Sequence, residues 1–277
     1  MKSCFTLKSS ITSIAIGGFD GMHLAHQELF KRLDTNGAIV VIETGYANLT
    51  PKTKRALYTN YPLFYYPLEG IKHLTPIEFV ALLNEEFPNL QKIVVGFDFK
   101  FGVHASGSIE LLQSLFKGDV EIVNEFFYDD IAVHSRVIRE YISSGNITKA
   151  NQFLGKNYTI SGLHIAGQGI GKKQFVPTIN IECENFLLPS EGIYATYSIV
   201  NGIKYSSVSF LGHRVSTDGK YAIETHILDQ KLDHVDSFVE IEFVSRVRDN
   251  KKYDNINELK SQILNDIIVT KEILSKI

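Results

Sequence analysis

From Ser13 to about Lys149, runs of consecutive apolar residues alternate with segments whose apolar positions recur at helical spacing. ITSIAIGGF, GAIVVIET, KIVVGFDF and DVEIVNEFF are continuous runs, the pattern of strands covered on both faces. Between them, LAHQELFKRL, TPIEFVALLNEEF and SGSIELLQSLF carry the period of amphipathic helices. The second opens on a capping box, with Thr75 as N-cap, Pro76 at the first helical position and Glu78 reaching back. Strand–helix alternation at this spacing predicts an α/β domain with a doubly wound parallel sheet and flanking helices.

After Lys156 the period changes to two. YTISGLHIAG, TINIECE, IYATYSIV, IKYSSVSFLG, YAIETHILD and FVEIEFVSRV alternate apolar and polar positions, with turn signals between them. Asn201-Gly202 and Asp218-Gly219 both carry the residues of two-residue hairpin turns. About six short antiparallel strands predict a small closed barrel. A last amphipathic helix is expected from near Asn255, with Glu258 completing a capping box, through ELKSQILNDIIVTKEIL. The two patterns meet near residues 150–157, which predicts domains at 1–153 and 154–277.

Composition narrows the function classes. The 277 residues are 44% hydrophobic, enough for sizeable cores in two domains. Lys and Arg number 28 against 31 Asp and Glu, a formal net charge of −3. That balance provides no basic field for a nucleic-acid backbone. No segment approaches the roughly 18 unbroken apolar residues of a membrane helix. The opening MKSCFTLKSS lacks the apolar run and small-residue site of a signal peptide, so a cytoplasmic protein is expected. Cys4 and Cys183 are far apart and near no other metal-ligating cluster, which predicts neither a disulfide framework nor a zinc site.

Candidate chemistry concentrates where strands end. In GGFDGMHLAHQ, a strand runs into Gly17, Gly18, Phe19 and Gly21 and then into a helix start bearing His23 and His26. Glycines admit close backbone approach, and the helix start presents free N–H groups and a positive dipole end. Phosphate handling, metal ligation and plain packing all fit the His pair alone, although no third ligand is spaced to complete a metal site. GFDFKFG again ends a strand with Gly96 and Asp98, and HSRVIRE puts Ser135, Arg136 and Arg139 at a helix start. Together the three segments look like a cradle for an ATP polyphosphate. In the second half, GQGIGKKQFVPTINIE combines Gly167, Gly169 and Gly171 with Lys172 and Lys173, a phosphate loop or an exposed turn. Glu224, in mid-strand opposite Ile223 and Thr225, is either on the solvent face of a barrel or a base for an attacking alcohol.

These segments resemble the bifunctional riboflavin kinase/FMN adenylyltransferase (prokaryotic FAD synthetase) family. GGFDGMHLAHQ, VGFDFKFG and HSRVIRE are similar to its nucleotidyltransferase motifs. GKKQFVPTIN, PSEGIY, SFLGHRVS and IETH are similar to its kinase motifs, and all occur in family order over essentially the whole chain. The resemblance implies a Rossmann-like nucleotidyltransferase domain followed by a riboflavin kinase-like barrel with a terminal helix. It implies that ATP phosphates are met by Gly17, Phe19, Gly21, His23, His26, Gly96, Asp98, Ser135 and Arg139 in the first domain. In the second it implies Gly169, Gly171, Lys172, Thr178 and Asn180, with Thr178 and Asn180 also on Mg²⁺. Glu224 would be the base for riboflavin, and His23 and His26 would stabilise charge on ATP. Riboflavin, FMN and ATP would be the substrates of a monomer or weak homo-oligomer that binds neither nucleic acid nor membrane. The departures are Ala25 and Gly18, His134 and Arg136, Phe175-Val176 and Phe210. Because those in the first half cluster, a kinase with a degenerate adenylyltransferase, or a non-catalytic flavin- or nucleotide-binding regulator, is the alternative.

Overall fold

A computed structural model describes residues 7–165, 176–216 and 218–277. It divides into two compact units, residues 1–135 and 136–277.

The first unit is built on five parallel strands, β1 (Ser13–Gly17), β2 (Gly37–Glu43), β3 (Leu63–Pro67), β4 (Lys92–Gly96) and β5 (Asp119–Val123), in the order β3-β2-β1-β4-β5. Helix α1 (Leu24–Phe30) follows β1, α2 (Leu68–Ile71) and α3 (Pro76–Glu86) follow β3, and α4 (Ile109–Leu115) lies between β4 and β5. Side chains alternate across the sheet. Ile14, Ile16, Val40, Ile93 and Val95 join Phe79, Leu83 and Leu112 in one core. Ala15, Ile39, Val41 and Val94 join Leu29 and Phe30 in the other. Both faces are covered, which is why these strands read as unbroken apolar runs. Each fully buried Ile, Leu or Phe contributes about 1.5–3 kcal/mol. The Thr75 capping box is present as expected: Glu78 N–H donates to Thr75 Oγ1 at 3.3 Å and Thr75 N–H to Glu78 Oε2 at 2.8 Å. The chain winds outward from β1 in both directions, so the carboxyl ends of β1 and β4 flank the switch-point crevice. A short hairpin, β6 (Phe127–Tyr128) and β7 (Ile131–Ala132), follows β5.

The second unit holds helices α5 (Ser135–Ser143, beginning on the last residue of the first unit) and α6 (Ile147–Leu154). Six strands then follow: β8 (Tyr158–Ile165), β9 (Ile179–Glu182), β10 (Gly192–Val200), β11 (Ile203–His213), β12 (Tyr221–Ile227) and β13 (Phe238–Asp249). They close as an antiparallel barrel, β10-β11-β12-β9-β8-β13, matching the six runs read from the sequence. Asn201 and Gly202 join β10 to β11 with φ of +53° and +75°, the left-handed pair that a tight hairpin requires. Asp218-Gly219 does not make a second such turn. The pair His213–Tyr221 closes that hairpin, and Arg214 N–H donates to Lys220 O at 2.9 Å across a longer loop.

The barrel interior is partly polar. Thr196, Ser198, Ser207, Ser209 and Thr225 are fully buried. Their hydroxyls form a closed ring through Thr196–Ser207, Ser207–Ser198, Ser198–Thr225, Thr225–Ser209 and Ser209–Thr196 contacts of 2.8–2.9 Å. In such a ring every hydroxyl donates once and accepts once. Helix α7 (Ile256–Leu274) packs on β10, β11 and β13. Its cap also departs from expectation: the Asn255 side chain accepts from Asn257 N–H at 2.8 Å, two residues on, so the bond closes short of Glu258. The buried Asp266 of α7 takes a bidentate pair from Arg248, at 2.8 and 2.7 Å, and a bond from Gln262 at 2.8 Å.

Candidate active sites

The first site is a cleft of about 360 Å³ lined by Gly17, Phe19, His23, His26, Gly96, Asp98 and Ser135 among others. These are residues that the sequence reading grouped, brought together from the ends of β1 and β4 and the start of α5. The loop between β1 and α1 is strained. Phe19, Gly21 and Met22 have φ of +48°, +90° and +46°, and for a non-glycine this costs about 1–2 kcal/mol. Two buried charges hold it. The carboxylate of Asp20, 8% exposed, accepts the backbone N–H groups of Asn48 at 3.1 Å, Leu49 at 3.0 Å and Thr50 at 2.8 Å. Arg55, 1% exposed, donates through Nε to Phe19 O at 3.2 Å and pairs with Glu43 at 2.5 Å.

Gly21 does not line the cleft. Its N–H donates to Thr50 Oγ1 at 2.8 Å. Its part is conformational, because only glycine adopts φ near +90° readily. His23 is the N-cap of α1 rather than a first-turn residue, and its Nδ1 accepts from His26 N–H at 3.4 Å. The two imidazoles stack at 3.5 Å and 18°, so they do lie on one side of the helix start. Both nitrogens of His23 are engaged within the protein, the second with Ser135 Oγ at 3.2 Å, which leaves none for a metal. Arg139 lies one turn along α5, half-buried, in the second unit.

The second site lies on the outer face of the barrel, in a cleft of about 190 Å³ reached by Thr178, Phe210, Arg214, Glu224 and His226. Three strands set it. Glu224 of β12 is in register with Phe210 of β11 on one side and with Asn180 of β9 on the other. Ile223 and Thr225 point inward and are buried, so Glu224 must point out. Burial pushes the Glu224 carboxyl pKa up, and the Arg214 guanidinium, whose Nη1 donates to it at 3.1 Å, pulls it back down. Arg214 is itself braced by Asp218 at 3.1 Å. His226, two residues along the same face, donates from Nδ1 to the carbonyl of Pro177 at 2.8 Å and so fixes the backbone entering Thr178. Burial lowers the pKa of that imidazole, against the opposing pull of the Pro177 bond. Gly167, Gly169, Gly171, Lys172, Lys173 and Phe175 lie outside the described residues.

Asp20, Arg55, Arg214 and His226 escaped the sequence reading. A carboxylate inside a glycine turn was the only local signal for Asp20, and the others declare themselves only through contacts between separate elements.

A parallel sheet with its cleft at the switch point, followed by a barrel carrying an outward carboxylate beside Thr and Asn, defines a two-module nucleotide-dependent transferase. Residues 154–274 match the Flavokinase (riboflavin kinase) family model. Curated bifunctional riboflavin kinase/FMN adenylyltransferases align along nearly the whole chain. That of Buchnera aphidicola from Acyrthosiphon pisum is 29% identical over 95% of this chain and 94% of its own. That of Bacillus subtilis is 28% identical over 91% and 89%, and that of Escherichia coli K12 is 24% identical over 94% and 91%. Along nearly its whole length the chain is thus similar to bifunctional riboflavin kinase/FMN adenylyltransferases, and its residues 154–274 match the riboflavin kinase family. A solved structure described as a macrolide-efflux protein from Streptococcus pneumoniae shares the fold, with a TM-score of 0.82, 25% identity and coverage of 95% of this chain and 94% of that one. Among the described residues no helix is long and apolar enough to cross a membrane.

Proposed function

We propose that the chain converts riboflavin to FMN and FMN to FAD, each step using one ATP. Residues 154–277 are the kinase and residues 1–153 the adenylyltransferase. The observation that carries the kinase half is the register of Glu224 against Asn180, with Thr178 in the same cleft as Glu224. Glu224 accepts the proton of the riboflavin 5′-hydroxyl as its oxygen attacks the γ-phosphorus, and ADP leaves. Arg214 opposes the effect of burial on the carboxylate and so favours its ionised form, the form a base requires.

Thr178 and Asn180 would hold Mg²⁺. Their donors are neutral oxygens, which suits a hard cation that takes most of its ligands from water and phosphate. Bound there, the ion would supply charge neutralisation at the transferred phosphoryl group. In the first unit, an oxygen of the FMN phosphate attacks the α-phosphorus of ATP and pyrophosphate leaves. No covalent enzyme intermediate is needed, so the residues work by positioning and electrostatics. His26, Asp98, Gly17, Phe19 and Gly96 line the cleft for this step; by the family resemblance, Arg139 is assigned to the departing phosphates, and Gly169, Gly171 and Lys172 to the ATP phosphates of the kinase step. We place the enzyme in the cytoplasm as a monomer or weak homo-oligomer, which size-exclusion chromatography reads directly.

The test is incubation with riboflavin, Mg²⁺ and ATP, followed by chromatography of the flavins. FMN and then FAD are expected, with pyrophosphate released alongside FAD. FMN accumulating without FAD would restrict the activity to the barrel. Neither product forming would refute the enzyme.

A further inference from the structure

We propose that Ser135 acts on adenylyl transfer through His23, as a positioning residue, and that His26 is the histidine that meets the phosphates. The inference rests on the adenylyltransferase reading of this cleft.

The argument is one of proton placement. Ser135 Oγ donates to the backbone carbonyl of Asp20 at 2.8 Å. A carbonyl oxygen only accepts, so the single hydroxyl proton is committed there. The bond between Ser135 Oγ and His23 Nε2 at 3.2 Å therefore runs from the imidazole to the hydroxyl, and Nε2 bears a proton. At the other side of the ring, Nδ1 accepts the backbone N–H of His26 as the helix cap, so it bears none. His23, 3% exposed, is thereby fixed as the neutral Nε2–H imidazole. Its orientation is pinned at both ends.

This matters for His26 because the rings are stacked at 3.5 Å. Two imidazolium rings at that spacing would repel strongly, with little water between them to screen the charge. A neutral His23 beneath it leaves His26 able to carry a proton toward a phosphate oxygen. The anchor beneath this arrangement is rigid: the carbonyl that takes the Ser135 proton belongs to Asp20, whose carboxylate is clamped by the N–H groups of residues 48–50. A phosphate contact by Ser135 would require its hydroxyl to leave Asp20 and release His23.

The test uses the full chain. In the wild type, ¹⁵N NMR of the histidine rings at neutral pH should show His23 as the neutral Nε2–H tautomer. An Nδ1–H tautomer or an imidazolium at His23 overturns the proposal. In Ser135→Ala, kcat for FAD formation from FMN and ATP should fall by about 10- to 100-fold, the scale of a misplaced catalytic group, while KM for ATP stays within about twofold. Ser135→Thr, which keeps the hydroxyl, should recover most of the rate. A large rise in KM for ATP with kcat unchanged in Ser135→Ala, and His23 still in its wild-type state, would overturn the assignment in favour of direct phosphate binding. A wild-type chain forming no FAD would refute the adenylyltransferase reading, and the ring-nitrogen spectrum would still decide the placement of the His23 proton.

Discussion

Replacing Thr196 or Thr225 by valine removes one hydroxyl from the barrel's interior ring at constant shape, yet the two changes should cost different amounts. The difference comes from counting protons. Without Thr225, four hydroxyls remain: Ser198 donates to Ser207, Ser207 and Ser209 donate to Thr196, and Thr196 donates to the Ser207 carbonyl, which it already approaches at 3.1 Å. Every proton is placed, so the loss is that of one modest net hydrogen bond, about 1 kcal/mol. Without Thr196, the remaining chain Ser207–Ser198–Thr225–Ser209 has three links for four protons. One fully buried O–H is then left without an acceptor, and the cost rises to about 2–3 kcal/mol. Scanning calorimetry of the full chain should show the barrel's transition lowered by roughly 3–4 °C in Thr225→Val and by roughly 6–12 °C in Thr196→Val, at about 3–4 °C per kcal/mol for a unit of this size. Equal shifts, or a larger one for Thr225→Val, would refute the ring as the organising feature of this core.

Three further outcomes follow from the barrel's outer face. Glu224→Gln keeps the shape and removes the base, so FMN formation should fall by about 10²- to 10⁴-fold with the fold unchanged, measured by chromatography of riboflavin and FMN. Burial already raises the Glu224 pKa while Arg214 lowers it. The base works ionised, so activity is lost as pH falls through that raised value. Arg214→Met removes the opposing charge, and the acid limb of kcat/KM for riboflavin should move to higher pH; an unmoved or lower limb would contradict the pairing. Asp266→Ala leaves the Arg248 guanidinium, 22% exposed, without its bidentate partner. For a largely buried pair this costs about 2–4 kcal/mol, and calorimetry should show the barrel melting about 10 °C lower.

What the sequence displayed was set by burial symmetry. β1, β2 and β4 were legible because a sheet covered on both faces needs apolar residues in succession. β3 was not: it lies at a sheet edge, LFYYP is only half-buried and carries two tyrosines, and the strand starts just after Pro62 and ends on Pro67. α6 was hidden for another reason. Eight residues make a weak periodic signal, and the segment reads as a join until Asn146 is recognised as its N-cap and Gly155 as its left-handed C-cap.

The sites divide in the same way. Residue types and order were visible along the chain, and so was the family they resemble. Their connections were not, because each spans elements distant in sequence. Asn180 meets Glu224 only because β9 and β12 are neighbours in the closed barrel although β10 and β11 come between them in the chain. Asp20 reaches residues 48–50 only because β1 and β2 are adjacent. Those connections change what the residues do. His23 and His26 look equivalent as letters, but the backbone N–H of His26 and the hydroxyl of Ser135 occupy both nitrogens of His23 and leave His26 differently placed. A motif names the groups present at a site, and the hydrogen bonds around each group decide which of them faces the substrate.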